Sequence, residues 1–396
     1  MSWNEIIFES VFKIPTKNGL TKPSRIRGEG FKFINMGELF AIDRMFDPKM
    51  ELVPLSETEK VTHKIEKGDL LFARQSLVAS GAGKCSIVKE VDDLTVFDSH
   101  IIRVRLNQDF CDSNFFYYYF KSSVNNLKSL VQQGVQAGIR ASDLSKLKVH
   151  YPPLETQKRI SSILSTHDDL IENNLKRIKL LEETAQNIYK EWFVNFRFPN
   201  YEHTEFDVES GLPLGWELKK VEECIKVMKG KKPKKEYSTI GENRILYLLV
   251  DVLERRELRF TENANVQLTS VGETLMLMDG SRSGLVFKSL EGAIGSTLAV
   301  FRIKNAVFGI NYCFNYFKFR EVEIISKNTG SAIPHANKSY IYGMEMPIPT
   351  DRISSEFETI TSKIYNQIEI LSSQNQKLKE ARDILLPRLM NRTIEV

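Results

Sequence analysis

The chain has 396 residues, 42% hydrophobic and 27% charged, with a net charge of +4 and an isoelectric point near 8.6. That length exceeds one ordinary core and calls for two or three domains, and the apolar content lets each half build its own. The mild basicity alone does not establish a nucleic-acid partner. Cys85, Cys111, Cys224 and Cys313 lie far apart without a C-x-x-C pair. They read as reduced, mostly buried thiols of a cytoplasmic protein. The opening Met1-Ser2-Trp3-Asn4-Glu5 carries no basic or apolar leader, and the longest apolar run, Ile245 to Val250, is strand-sized. No signal peptide and no membrane span are therefore expected.

From Trp3 the texture is strand-like: short runs of Val, Ile, Phe and Tyr broken by Gly, Asn, Asp and Ser. A thin basic group, Lys17, Lys22, Arg25 and Arg27, precedes the strand-like run Phe31 to Leu39. Lys67-Gly68-Asp69 before Leu70-Leu71-Phe72 is a turn followed by a strand. Arg74 to Gly81 reads as a polar loop with small residues. Ile101 to Leu106 alternates apolar residues with Arg103 and Arg105, which predicts a half-exposed strand. The aromatic block Phe115 to Lys121 suits a cover for the sheet better than a stacking platform for bases. A second polar loop, Gln132 to Arg140, ends the unit.

Tyr151-Pro152-Pro153-Leu154 opens a long amphipathic stretch. Ile160, Leu164, His167, Ile171, Asn174, Ile178, Leu181, Ala185, Ile188 and Trp192 step by four and three, a heptad seam of about four heptads. Proline suits the start of a helix, and Glu155 suits its N-terminal dipole. A helix from Leu154 to Phe196 would span about 60 Å. His167 and Asn174 read as lone seam polars that fix register. The turn-rich, acidic segment from Pro199 to Gly215 is a boundary.

Trp216 begins a second unit of similar texture. Lys219 to Lys235 is lysine-rich, and Lys229-Gly230-Lys231-Lys232-Pro233-Lys234-Lys235 reads as a flexible basic loop suited to phosphates. Ile245 to Leu253 parallels Phe31 to Leu39, and Val271-Gly272-Glu273 parallels Lys67-Gly68-Asp69. Loop Asp279 to Gly284 parallels Arg74 to Gly81, aromatic Tyr312 to Phe319 parallels Phe115 to Lys121, and Asn328 to Asn337 parallels Gln132 to Arg140. Gly330…Ile333 is matched with Gly134…Ile139. Met346-Pro347-Ile348-Pro349 then leads into a second heptad stretch through Phe357, Ile360, Ile364, Gln367, Leu371, Gln374, Leu378, Ala381 and Leu385. The preserved order of these weak matches, rather than any one of them, indicates an internal duplication. Two long helices behind two globular units can pair antiparallel, and their Lys-, Glu- and Gln-rich outer faces could dock partner helices.

Base reading needs paired donors and acceptors, Arg for guanine and Asn or Gln for adenine. On that ground the candidate DNA contacts are Arg25, Arg27, Arg74, Gln75, Ser76, Gln133, Gln136 and Arg140 in the first unit. In the second they are Lys229, Lys231, Lys232, Lys234, Lys235, Ser281, Arg282, Ser283, Ser331, His335 and Asn337. The helix–helix contacts expected are Ile160, Leu164, Ile171, Ile178, Leu181 and Ile188 against Phe357, Ile364, Leu371, Leu378 and Leu385. Ser80 to Cys85 imitates a phosphate loop, but Val78 stands where the first glycine belongs and Cys85 where Ser or Thr belongs. Tyr151-Pro152-Pro153-Leu154 lacks the amide or carboxylate of the amino-methyltransferase motif it imitates. The histidines show no metal-ligand spacing, so no catalytic or metal residue is expected.

Pro152-Pro153-Leu154-Glu155-Thr156-Gln157-Lys158-Arg159-Ile160, Leu212-Pro213-Leu214-Gly215-Trp216 and the duplicated layout resemble the specificity subunits of type I restriction-modification systems over essentially the whole chain. The second helix opening, Met346 to Ile353, departs from the first by lacking its Glu-Gln pair. The resemblance implies an α+β fold with two mixed α/β target recognition domains, separated by two antiparallel coiled-coil helices in a pseudo-two-fold arrangement. The divisions expected are a first recognition domain at 1–151, a helix at 152–197, linker and second domain at 198–346, and a helix at 347–396. The resemblance further implies a non-catalytic, cytoplasmic DNA reader of a split double-stranded target. Two methyltransferase subunits carrying S-adenosylmethionine would dock on it, and a restriction subunit using ATP and Mg would join where one exists. The chain itself would hold no cofactor. A coiled-coil scaffold that binds proteins only, or a stand-alone DNA-modifying enzyme with its own recognition domains, are the rival readings.

Overall fold

The structure, a computed structural model, describes residues 3–132, 136–263, 265–305, 308–330 and 333–396. It contains two compact units: 1–173 with 374–396, and 174–373. Both divisions fall inside long helices, Leu154–Tyr189 and Asp351–Met390, so each unit contains half of each helix.

In the first unit a five-stranded sheet runs in the order Phe12–Asn18, Ile101–Leu106, Leu70–Ala73, Cys85–Glu90, Arg44–Phe46. A smaller sheet places Phe31–Ile34 between Glu51–Val53 and Thr95–Phe97, the last pair parallel. The second unit repeats the plan. Its main sheet runs Ile225–Lys229, Leu298–Ile303, Thr274–Leu277, Val286–Lys288. Its smaller sheet pairs Arg244–Leu248 antiparallel with Phe260–Glu262 and parallel with Gly292–Ile294. Each unit is closed by a short antiparallel pair, Asn4–Ile7 with Lys148–Tyr151 and Glu217–Lys220 with Glu345–Ile348.

The aromatic blocks form helices Ser113–Lys121 and Ile310–Phe319 whose rings are core. Phe8, Phe72 and Phe116 are fully buried, and the Phe8 and Phe72 rings both pack edge-on to Phe120; a buried Phe contributes about 1.5–3 kcal/mol by leaving water. Phe31 to Leu39 and Ile245 to Leu253 are only half strand. Asn35 caps helix Met36–Ala41 through a capping box with Glu38, which overrides the strand-like composition there. In the second unit strand Arg244–Leu248 gives way to helix Val250–Leu253. Ile101–Leu106 is not half-exposed. Arg103 is 4% exposed, its guanidinium donating to the Lys64 carbonyl. Arg105 pairs with buried Asp69 at 2.7 Å. The arginines are tolerated inside because each finds an acceptor. Arg302 with Glu273, also at 2.7 Å, repeats the second pair. The turn-and-acid match is therefore a repeated ion pair, and Gly68 and Gly272 both adopt positive φ before it.

Within each unit the helix halves pack antiparallel. In the first, Ile171 meets Asn375, and Asp168, three residues earlier, meets Arg382, seven residues later. In the second, Tyr189 packs on Phe357, while Gln186 and Tyr365 both donate to buried Asn315. Ile160, Leu164, Ile171, Phe357 and Leu371 are buried, whereas Ile178, Leu181, Ile188, Ile364, Leu378 and Leu385 are half-buried. Two seam polars differ by one residue from the heptad reading. Asp168, not His167, is inside, accepting from the Tyr118 hydroxyl at 2.7 Å and from Arg382 at 2.6 Å. Asn375, not Gln374, is inside on the second helix. The inward neighbour is the one for which the fold supplies a partner, Tyr118 and Arg382 for Asp168 and the Ile171 carbonyl for Asn375. The first helix ends in a π turn, Lys190–Val194, rather than continuing to Phe196.

Candidate nucleic-acid interface

The first unit brings its two predicted loops together. Gln75–Ser76 pairs antiparallel with Ala137–Gly138, and the Gly138 amide and carbonyl bond back to Gln132. The Ile139 amide donates to the Arg74 carbonyl at 2.9 Å. Gly138 has to be small: a Cβ there would lie 2.9 Å from the Arg74 carbonyl oxygen. On this ribbon the Arg74 guanidinium donates to the Ser99 carbonyl at 3.1 Å. Ser76 Oγ accepts from the Val78 amide. Gln136 and Arg140 are exposed. Leu77 and Val78 at the tip are 86% and 60% exposed. Arg25 is exposed, whereas Arg27 is engaged by Glu51 at 2.6 Å and lies over the Phe33 ring. Arg27 thus braces the smaller sheet. Gln133 lies outside the described residues.

The second unit repeats the arrangement at the corresponding place. Asp279 bridges His335, Thr329 bridges His335, and the Ala336 amide donates to the Met278 carbonyl at 2.8 Å. The match is therefore Gly138 with His335 and Ile139 with Ala336. The glycine–isoleucine spacing read from the sequence is displaced, because backbone pairing rather than residue type sets the register. Arg140 and Asn337 both precede short helices, Ala141–Ser145 and Lys338–Gly343. Asn337 Oδ1 is spent capping the Tyr340 amide at 3.0 Å.

Asp279 accepts from two side chains, Lys229 at 2.7 Å and His335 Nδ1 at 2.8 Å. Partial burial raises its carboxyl pKa, but bonds from Lys229 and His335 outweigh that and hold it below the ordinary value. Lys229 ends a strand rather than beginning a loop. Lys231, Lys232, Lys234 and Lys235 beyond it are exposed, and Lys235 lies 3.7 Å from Glu262. Ser281 is exposed, and Arg282 pairs with Glu254 at 2.8 Å. Ser283 corrects the expectation of a contact residue: it is fully buried and its Oγ accepts from Asn328 at 2.8 Å. It braces one loop against the other. Ser331 lies outside the described residues.

Sequence reasoning missed the anchors. Asp98 Oδ1 accepts both the backbone amide and Nδ1 of His100, at 2.8 and 2.7 Å. The His100 carbonyl accepts the Arg74 amide at 2.7 Å. The short Asp98-Ser99-His100 spacing after strand Thr95–Phe97 was the available signal. Among the described residues no cluster of His, Cys, Asp or Glu could hold a metal ion. Burial pushes the Cys111 and Cys313 thiols up to about 12, which makes them poor nucleophiles.

Residues 2–183 match the family described as the type I restriction modification DNA specificity domain. The chain is 27% identical over 301 residues to the type I restriction enzyme MjaIX specificity subunit of Methanocaldococcus jannaschii, covering 70% of this chain and 68% of that protein. It is 22% identical over 409 residues to that organism's putative MjaX specificity subunit, covering 96% and 91%. The HindI specificity subunit of Haemophilus influenzae is 21% identical over 407 residues, covering 83% and 86%. A crystal structure of the type I restriction-modification S subunit from M. genitalium shares the fold, with a TM-score of 0.59 at 14% identity over 98% of this chain and 96% of that one. The resemblance read from the sequence motifs is borne out.

Proposed function

We propose that this chain, resembling type I restriction-modification specificity subunits as it does, recognises a two-part target in double-stranded DNA. Each unit reads one half. The observation that carries this reading is the repetition of one loop pair at matching places in two repeats of one fold, with different side chains on each. Unlike residues on like scaffolds suit two different half-sites. Gln75, Gln136, Arg140, Ser281 and His335 stand where base edges can be met. The exposed Lys231, Lys232, Lys234 and Lys235 take phosphates, which add affinity without sequence information.

The long helices, of 36 and 40 residues, set the length of DNA left unread between the halves. Their outer faces carry exposed Leu175, Leu180, Ile370 and Ile384 among charged residues, suited to partner helices. The partners are methyltransferase subunits that bring S-adenosylmethionine, and restriction subunits that bring ATP and Mg; this chain performs no chemistry.

Selection of the full chain, alone and with its methyltransferase partner, against random duplex pools tests the proposal. The expected product is two unlike short motifs at a fixed separation, with affinity falling steeply as salt rises. A single contiguous motif, or none, would refute it.

A further inference from the structure

We propose that His100 and His335 are base-reading residues, one for each half of the target, each held in reading position by an aspartate. The inference rests on the two-part DNA reading above and adds to it residues in a defined role.

His100 Nδ1 lies 2.7 Å from Asp98 Oδ1, and His335 Nδ1 lies 2.8 Å from Asp279 Oδ1. A carboxylate only accepts, so in both rings Nδ1 carries the proton and donates it. Nε2 is then the atom left for a ligand. The imidazoles are 49% and 50% exposed, while their aspartates are 11% and 25% exposed. In both pairs the anchor is the more buried group and the ring the more accessible one. Each anchor is itself fixed, Asp98 by the His100 backbone amide and Asp279 by Lys229.

The two pairs are not copies of one another in the repeat. His100 precedes the strand Ile101–Leu106 and bonds through its carbonyl to Arg74. His335 precedes the helix Lys338–Gly343 and bridges Asp279 and Thr329. Each lies beside the place where the two polar loops of its own unit join, His100 through Arg74 and His335 through Asp279 and Thr329. The same device placed independently at corresponding rims points to a shared task.

A ring whose plane and tautomer are set in advance suits a base edge, which demands fixed geometry. A phosphate does not, and the lysines of the second unit already supply phosphate contacts. With Nδ1–H committed to the carboxylate, Nε2 is the acceptor of that tautomer. The groups that donate to it in the major groove are adenine N6–H2 and cytosine N4–H2. Each histidine therefore specifies an adenine or a cytosine in its own half-site.

The test is selection from random duplex pools with the full chain, its methyltransferase partner present, for wild type, His100→Ala and His335→Ala. Each substitution is expected to lower the preference for A or C at one position of one half-site by roughly three- to tenfold, leaving the other half-site unchanged. His100→Gln and His335→Gln, which restore an acceptor, should recover part of that preference. Asp98→Asn and Asp279→Asn should weaken it at the same positions. Unchanged motifs from variants that melt like wild type would overturn the inference and leave the two-part reading standing. So would uniform weakening with a smaller salt dependence, the mark of a phosphate contact. A wild-type chain that selects no split motif would overturn both.

Discussion

Gly19 and Gly230 occupy the same turn in the two repeats, each just past the first strand of the main sheet. A Cβ on either would lie 2.1 Å from a backbone carbonyl oxygen, of Phe97 and of Gly295 respectively. Both carbonyls are already held by backbone amides, of Leu20 and Leu298 respectively, so Gly19→Ala and Gly230→Ala should each cost about 1–3 kcal/mol, measured by denaturant unfolding. Glu172 shows a different kind of residue-scale constraint. Burial pushes its carboxyl up to about 7, against the opposing pull of Arg44 at 3.2 Å and with added repulsion from Asp169 and Asp168. Its ordinary value is 4.5. A group raised on folding stabilises fully below its unfolded value and loses that contribution as pH rises through its folded value. From about pH 5 to about pH 8 the wild type should therefore lose stability that Glu172→Gln keeps. The melting temperatures of the two across that range are the check, and parallel curves would dismiss the assignment.

At the scale of elements, the helices were the most legible part of the sequence and their polar seam residues the least. Heptad stepping located both helices, since apolar spacing alone determines which stripe is buried. It could not choose between His167 and Asp168, because that depends on Arg382 and Tyr118, which are distant in sequence. The antiparallel register seen in each unit, Ile171 with Asn375 and Tyr189 with Phe357, sets 174–180 opposite 366–372. Removing both segments together preserves the pairing and shortens each helix by about 10 Å. The preferred unread spacer should then shorten by at most about 3 base pairs, as read by selection from random duplexes. Removing only one segment misaligns Ile171 with Asn375 and should cost folding instead, visible as a lower melting temperature.

At the scale of the molecule, duplication organises both units. The Arg105–Asp69 and Arg302–Glu273 pairs, the two aromatic helices and the two loop ribbons recur in the same order. The contents of the ribbons do not recur. Gln75 matches Asp279 and Gly138 matches His335, so at these two positions one ribbon carries an amide and a glycine and the other an aspartate and the histidine it holds. Exchange of residues 3–151 with the corresponding part of a relative should therefore replace one half-site and leave the other intact, a result that selected motifs would show directly.

The sequence by itself determined the duplication, the two long helices, the buried aromatic blocks and the correspondence of the polar loops between the two repeats. Those properties follow from local spacing and from repeated order along the chain. Tertiary structure alone decided which loop residues face outward. Ser283 is withdrawn because Asn328 claims its hydroxyl, Arg27 because Glu51 claims its guanidinium, and Asn337 Oδ1 because a helix amide claims it. His100 enters because Asp98 fixes its ring. A polar side chain's availability depends on which partner the fold brings to it, and composition does not carry that information.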